Sequence, residues 1–139
     1  MGDKVNIPMN EEINIQSNID NLTMVENIVD NLSKRLGVSD EVYGKILVST
    51  IEAVNNAIIH GNRGIESKIV KLSFSSNGSS LIIIVKDEGD GYNFENIPDP
   101  TSSENIEKLN GRGVFIMKKL ADDIAFNDTG NEVTMTFKY

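Results

Sequence analysis

The sequence predicts an α+β chain, a two-layer sandwich whose mostly antiparallel, mixed sheet carries its helices on one face. Three observations predict it. Two segments in the first half repeat apolar residues at helical spacing. Several short segments alternate apolar and polar residues. Ser76-Asn77-Gly78-Ser79 joins two of them as a tight hairpin turn. At 139 residues with 39% apolar content, one domain with its own core is expected. It should span 11–139, after a flexible N-terminus over 1–10.

Each element has its own signal. Glu12 to Gln16 alternates Ile13 and Ile15 with polar residues, a short half-buried strand. Asp20 can cap the helix that follows, whose apolar positions are Leu22, Val25, Ile28, Val29, Leu32 and Leu36. Gly37 suits its left-handed stop. Ser39 or Asp40 starts a second helix running to about His60, with Gly61 ending it. Its polar stripe is Lys45, Ser49, Glu52, Asn56 and His60, beside small uncharged neighbours that would let a ligand approach.

Ile69 to Ser75 alternates again, and Leu81 to Val85 is a continuous apolar run that predicts a central strand buried on both faces. Residues 92–110 show no period and contain Pro98 and Pro100, which marks a lid or a disordered segment. Gly113 to Leu120 reads as a helix, Asp123 to Asn127 as a short strand, and Val133, Met135 and Phe137 as the inward positions of a last strand.

Composition removes several function classes. Cysteine is absent, so there is neither a disulfide framework nor a thiolate zinc site. The formal charge of −8 repels duplex nucleic acid. The longest apolar run, Leu81 to Val85, is far short of the ~20 residues that span a bilayer, and the N-terminus has no signal-peptide core. A cytoplasmic location without membrane or direct nucleic-acid contact is the expectation.

Three small motifs carry chemistry. Glu52 and Asn56 lie one helical turn apart. An Asn carbonyl is a neutral oxygen ligand suited to Mg²⁺, and a nearby carboxylate can accept a proton from an attacking hydroxyl or water. Asp87-Glu88-Gly89-Asp90-Gly91 follows the apolar strand. There a carboxylate can accept a hydrogen bond from an exocyclic amine, as on adenine, while Gly89 and Gly91 permit positive φ and close approach to a flat base. Gly111-Arg112-Gly113 opens a helix, where free N–H groups and the helix dipole favour an anion, with Lys108 or Arg112 adding charge. Singly, each also fits an ordinary helix stripe, turn or hinge. Together, in this order, they fit a magnesium-bound nucleoside triphosphate.

The arrangement resembles the histidine-kinase-like (GHKL) ATPase superfamily, which includes gyrase, the heat-shock chaperone ATPase, the mismatch-repair ATPase and sensor histidine kinases. Glu52-Ala-Val-Asn-Asn-Ala-Ile-Ile-His-Gly61 is most similar to the anti-sigma-factor serine kinases of bacterial partner switching. The resemblance covers roughly residues 11 to 138. It implies the Bergerat ATP-binding fold with ATP and Mg²⁺ as ligands. Glu52 would be the general base and Asn56 the Mg²⁺ ligand. Asp87 would meet the adenine amine, with Gly89 and Gly91 shaping its pocket. Gly111 and Gly113 would lie under the phosphates at the lid hinge, and Thr134 beside Asp87 near the base.

Two departures stand out. Glu132 occupies the place of an expected glycine, and Met24-Val25-Glu26-Asn27 lacks the basic residue that sigma-binding relatives carry midway along the first helix. The lid has no Lys or Arg between Tyr92 and Glu107, which leaves phosphate charge to Mg²⁺, Lys108 and Arg112.

The resemblance implies a serine/threonine protein kinase acting on a small anti-sigma-factor antagonist, with a sigma factor as a further partner and a homodimer as an assembly. A module that binds ATP and a partner without phosphoryl transfer is the alternative. A catalytic domain cut from a sensor histidine kinase ranks below both, since His60, the sole histidine, lies inside the nucleotide motif.

Overall fold

The computed structural model of the chain describes residues 9–89 and 109–139. Gly91, Lys108 and most of the expected lid fall outside them, as do residues 1–8 of the expected flexible N-terminus. Met9 and Asn10, assigned to that tail by the sequence, instead begin the first strand.

Five strands form one sheet: β1 (Met9–Gln16), β2 (Ile69–Ser76), β3 (Ser80–Lys86), β4 (Asp123–Phe126) and β5 (Glu132–Lys138). Their order is β1-β2-β3-β5-β4, and every neighbouring pair is antiparallel. The expectation of a mixed sheet is therefore too cautious for the described strands. Three helices, α1 (Leu22–Leu36), α2 (Asp40–Asn56) and α3 (Leu109–Leu120), complete the two layers.

The period of two assigns faces. Val70, Leu72 and Phe74 of β2, Leu81, Ile83 and Val85 of β3, and Val133, Met135 and Phe137 of β5 all point to the helix side and are buried. Val25, Val29 and Leu32 of α1 and Ile46, Val54 and Ile58 from α2 and the turn after it fill the space above them. The central strand is not buried on both faces as its apolar run suggested. Ile82 is 37% exposed and Ile84 half-buried, because the described helices all pack on one side.

Local chemistry accounts for the helix ends. Asn18, rather than Asp20, leads into the first helix: its Oδ1 accepts from the Asp20 N–H at 2.9 Å and caps a 3₁₀ turn (Ile19–Asn21) that runs into α1. Gly37 closes α1 at φ 67°, with the Val38 N–H donating to the Ser33 carbonyl at 3.2 Å. Ser39 caps α2 through the Val42 N–H at 3.3 Å, and Asp40 and Glu41 sit favourably in its first turn. The α form of α2 stops at Asn56, and the segment expected to remain helical to His60 is a π turn (Ala57–Gly61). α3 begins at Leu109, four residues before the expected start. Among the described residues no helix is long and apolar enough to cross a membrane.

The one-sided packing predicts unequal costs on neighbouring residues of β3. Ile83→Ala should lower the unfolding free energy by about 2–5 kcal/mol. Ile82→Ala should cost less than about 1 kcal/mol. Urea denaturation monitored by circular dichroism measures both, and equal losses would contradict this packing.

Candidate functional site

Where α2 passes into its π turn, its cleft-facing residues are Ala53, Asn56 and Ala57. Opposite them the sheet delivers Val85 and Asp87 from the end of β3 and Val133 from the start of β5. Met117 of α3 and Phe126 of β4 close the sides. The space between these walls, open mouth included, is about 400 Å³. It is mostly apolar, with polar side chains from Asn56, Asp87, Asn131 and Glu132 on its walls, the composition of a small-molecule site.

At one end stand Glu52, Asn56 and Gly113. A Cβ added to Gly113 would lie 2.7 Å from Glu52 Oε2, and 3.2 and 3.4 Å from the Asn56 amide nitrogen and oxygen. Glycine there lets α3 rest directly on the two side chains. Asn56 is 9% exposed, and its Nδ2 has no hydrogen-bond partner among the described residues. A buried donor left unpaired costs about 1–3 kcal/mol. A group that supplies a partner recovers that cost, and a half-turn of the amide presents its oxygen instead.

The other end is built around Asp87. Its N–H donates to the Asn131 carbonyl at 2.9 Å, and its Oδ1 accepts from the Gly89 N–H at 2.7 Å. Burial pushes the carboxyl above the usual range; the Gly89 hydrogen bond and the positive charge of Lys68 pull the other way. A Cβ on Gly61 would fall inside the Asp87 carboxylate, and one on Gly89 inside the Gly61 carbonyl. What these glycines supply is room for close approach, and neither has positive φ.

The sequence-predicted residues thus fall into groups. Glu52, Asn56 and Gly113 come together, and Asp87 and Gly89 form the far end of the same cleft. Gly111, Arg112 and Gly113 lie inside α3, not at its very start. Arg112 is exposed. Gly91 and Lys108 lie outside the described residues.

Thr134 does not line the cleft. It pairs with Ile84 on the face away from the helices, and strand alternation puts Val133 in the place expected for it. His60 is exposed.

Sequence reasoning missed Gly61, Val133, Met117, Phe126 and Asn131. From the sequence Gly61 reads only as a helix stop. The position of Val133 followed from the alternation of β5, had its inward face been carried to the turn.

With this geometry described, comparison with known proteins adds the family. The sequence profile of the histidine kinase-like ATPase domain matches residues 15–137. The serine-protein kinase RsbW of Oceanobacillus iheyensis is 28% identical over 117 residues, covering 80% of this chain and 74% of that protein. RsbW of Bacillus subtilis is 26% identical over 115 residues, 78% of this chain and 72% of that protein. The anti-sigma F factor of Clostridium perfringens is 34% identical over 99 residues, 67% of this chain and 70% of that protein. The matched span includes both ends of the cleft, and the sheet and helices have the α+β arrangement of that domain. The chain belongs to the histidine kinase-like ATPase domain family.

Proposed function

We propose that this chain is an ATP-dependent serine/threonine protein kinase of the anti-sigma type, which phosphorylates a small antagonist protein and thereby governs release of a sigma factor. The names of its relatives, serine-protein kinase and anti-sigma F factor, support the class. The observation that carries the site is the buried amide of Asn56, its Nδ2 without a partner among the described residues, beside Glu52 and Gly113 at one end of an apolar cleft whose other end is the Asp87 carboxylate.

The residues fit a magnesium nucleotide. Among the described residues no group of three His, Cys, Asp or Glu side chains could hold a metal. Asn56 would hold Mg²⁺ through its amide oxygen, a neutral oxygen ligand of the kind this hard cation takes. When bound, Mg²⁺ would supply neutralisation of the phosphate charge. Asp87 in its ionised form accepts from the adenine amino group; guanine presents a carbonyl there and is repelled. Val85, Val133 and Met117 receive the faces of the base. Gly111, Arg112 and Gly113 lie on the phosphate side. Glu52 takes the proton of the incoming Ser or Thr hydroxyl as its oxygen bonds to the γ-phosphorus and the bond to the β–γ bridging oxygen breaks. ADP leaves carrying the charge that develops on that oxygen.

Three outcomes are expected. Calorimetry with Mg-ATP should give affinities about 10–100-fold weaker for Asn56→Ala and Asp87→Asn than for wild type, the loss of one charge-assisted contact each. No binding by wild type would overturn the proposal.

Glu52→Gln should keep most of its ATP affinity and transfer phosphate to candidate antagonist proteins about 10²–10⁴-fold more slowly. If wild type binds ATP and a partner yet yields no phosphoprotein, the regulatory-module alternative holds.

The third outcome concerns pH. The folded-state pKa of Asp87 is raised above 3.8, so its stabilising contribution is complete below that value and lost as pH rises through the folded one. Asp87→Asn should therefore melt higher than wild type near neutral pH without nucleotide, with the difference closing on acidification to about pH 4. A variant no more stable than wild type at neutral pH would refute the buried-carboxylate assignment.

A further inference from the structure

Asn62 follows the π turn directly and is completely buried, at 0% exposure. It lies outside every motif discussed above. Its backbone N–H donates to the Ala57 carbonyl at 2.8 Å, closing the π turn. Its side chain reaches three separate elements. Nδ2 donates to Ser17 Oγ at 2.7 Å, beyond the end of β1, and to the Ile69 carbonyl at 3.1 Å, at the start of β2. Oδ1 accepts from the Glu88 N–H at 2.7 Å, just past the end of β3.

The surrounding bonds fix the direction of each of these. The Ser17 hydroxyl gives its proton to the Lys68 carbonyl at 2.7 Å, so toward Asn62 it acts as acceptor. A carbonyl at Ile69 demands a donor and an N–H at Glu88 demands an acceptor. The amide orientation is therefore unambiguous, and the site requires two donors and one acceptor on one short side chain. Aspartate offers no donor, alanine nothing.

Glu88 stands between the two functional residues of the strand-exit turn. Three successive N–H groups of that turn are occupied: Asp87 by the Asn131 carbonyl, Glu88 by Asn62, and Gly89 by the Asp87 carboxylate. The Glu88 carboxylate in turn accepts from the Ile69 N–H. Asn62 and Glu88 together grip both peptide groups of Ile69 and tie the turn to the sheet. Without Asn62 the middle of these three anchors is lost.

We infer that Asn62 is the positioning residue that aims the Asp87 carboxylate at the nucleotide base, and so sets the preference for adenine over guanine. The inference rests on the nucleotide reading of the cleft. Asn62 touches no ligand itself; it acts through Glu88 and the turn.

The test is the ratio of GTP to ATP dissociation constants, with Mg²⁺ present, for the full chain. Asn62→Asp and Asn62→Ala should reduce that ratio by about tenfold or more. Ser17→Ala, which removes one of the three partners, should reduce it by about two- to fivefold. Leu32→Ala, a core truncation in α1, loses stability but should keep the wild-type ratio. A general loss of stability weakens both nucleotides together and leaves the ratio unmoved. Folded Asn62 variants with the wild-type ratio would overturn the inference. So would a Leu32→Ala ratio that falls as far as theirs. Should the Asn62 variants fail to fold, an unchanged ratio in Ser17→Ala overturns it. The wild-type titration separates the two levels: no binding there removes the nucleotide reading, whereas binding with unaltered selectivity in the variants removes only the role of Asn62.

Discussion

The end of α2 and the exit of β3 meet at a separation that excludes every side chain but hydrogen at two positions. The carbonyl of Gly61 and the carboxylate of Asp87 fill the space that a methyl group at residue 89 or 61 would need. This contact brings a helix from one layer against a strand end from the other, and the cleft is the opening left beside it. The same logic recurs at the other end, where Gly113 lets α3 lie on Glu52 and Asn56. Two close approaches therefore set the length of the site, and the apolar residues between them set its width.

A chain with a net charge of −8 that binds a polyanion must confine its attraction to a small volume. The described part of the site has few cations: Lys68 acts on Asp87 at the base end, and Arg112 stands exposed on α3. Backbone N–H groups, the dipole of α3 and a metal held by a neutral amide would do much of the remaining work. The same acidic exterior discourages non-specific association with nucleic acid.

Much of this was legible in the sequence because it rests on local periodicity. The faces of α1 and α2, the hairpin at Asn77-Gly78 and the inward positions of β2 and β5 all follow from spacings of three, four or two. Glu52 and Asn56 were legible for the same reason, being one turn apart. What was not legible depends on packing between distant segments. Nothing local distinguishes Asn18 from Asp20 as the residue that caps the entry to α1. Ile82 is as apolar as Ile83, and only the placement of helices on one side exposes it. Thr134 was assigned by resemblance to a motif, but strand parity turns it away and presents Val133. Asn62 carries no sequence signal at all, since its three partners lie 45, 7 and 26 residues away.

The π turn after Asn56 also sets the direction in which the next residues face. It accommodates one more residue per turn than an α-helix, and Gly61 and Asn62 face inward only because of that additional residue. Were the same residues, Ala57–Gly61, to continue as ordinary α-helix instead, everything after them would swing by about 100°. The glycine would then leave the carboxylate and the asparagine its three partners, although every side chain type had been kept. This segment should therefore accept exchanges of exposed residues such as Ile59 and His60 that leave the π turn in place.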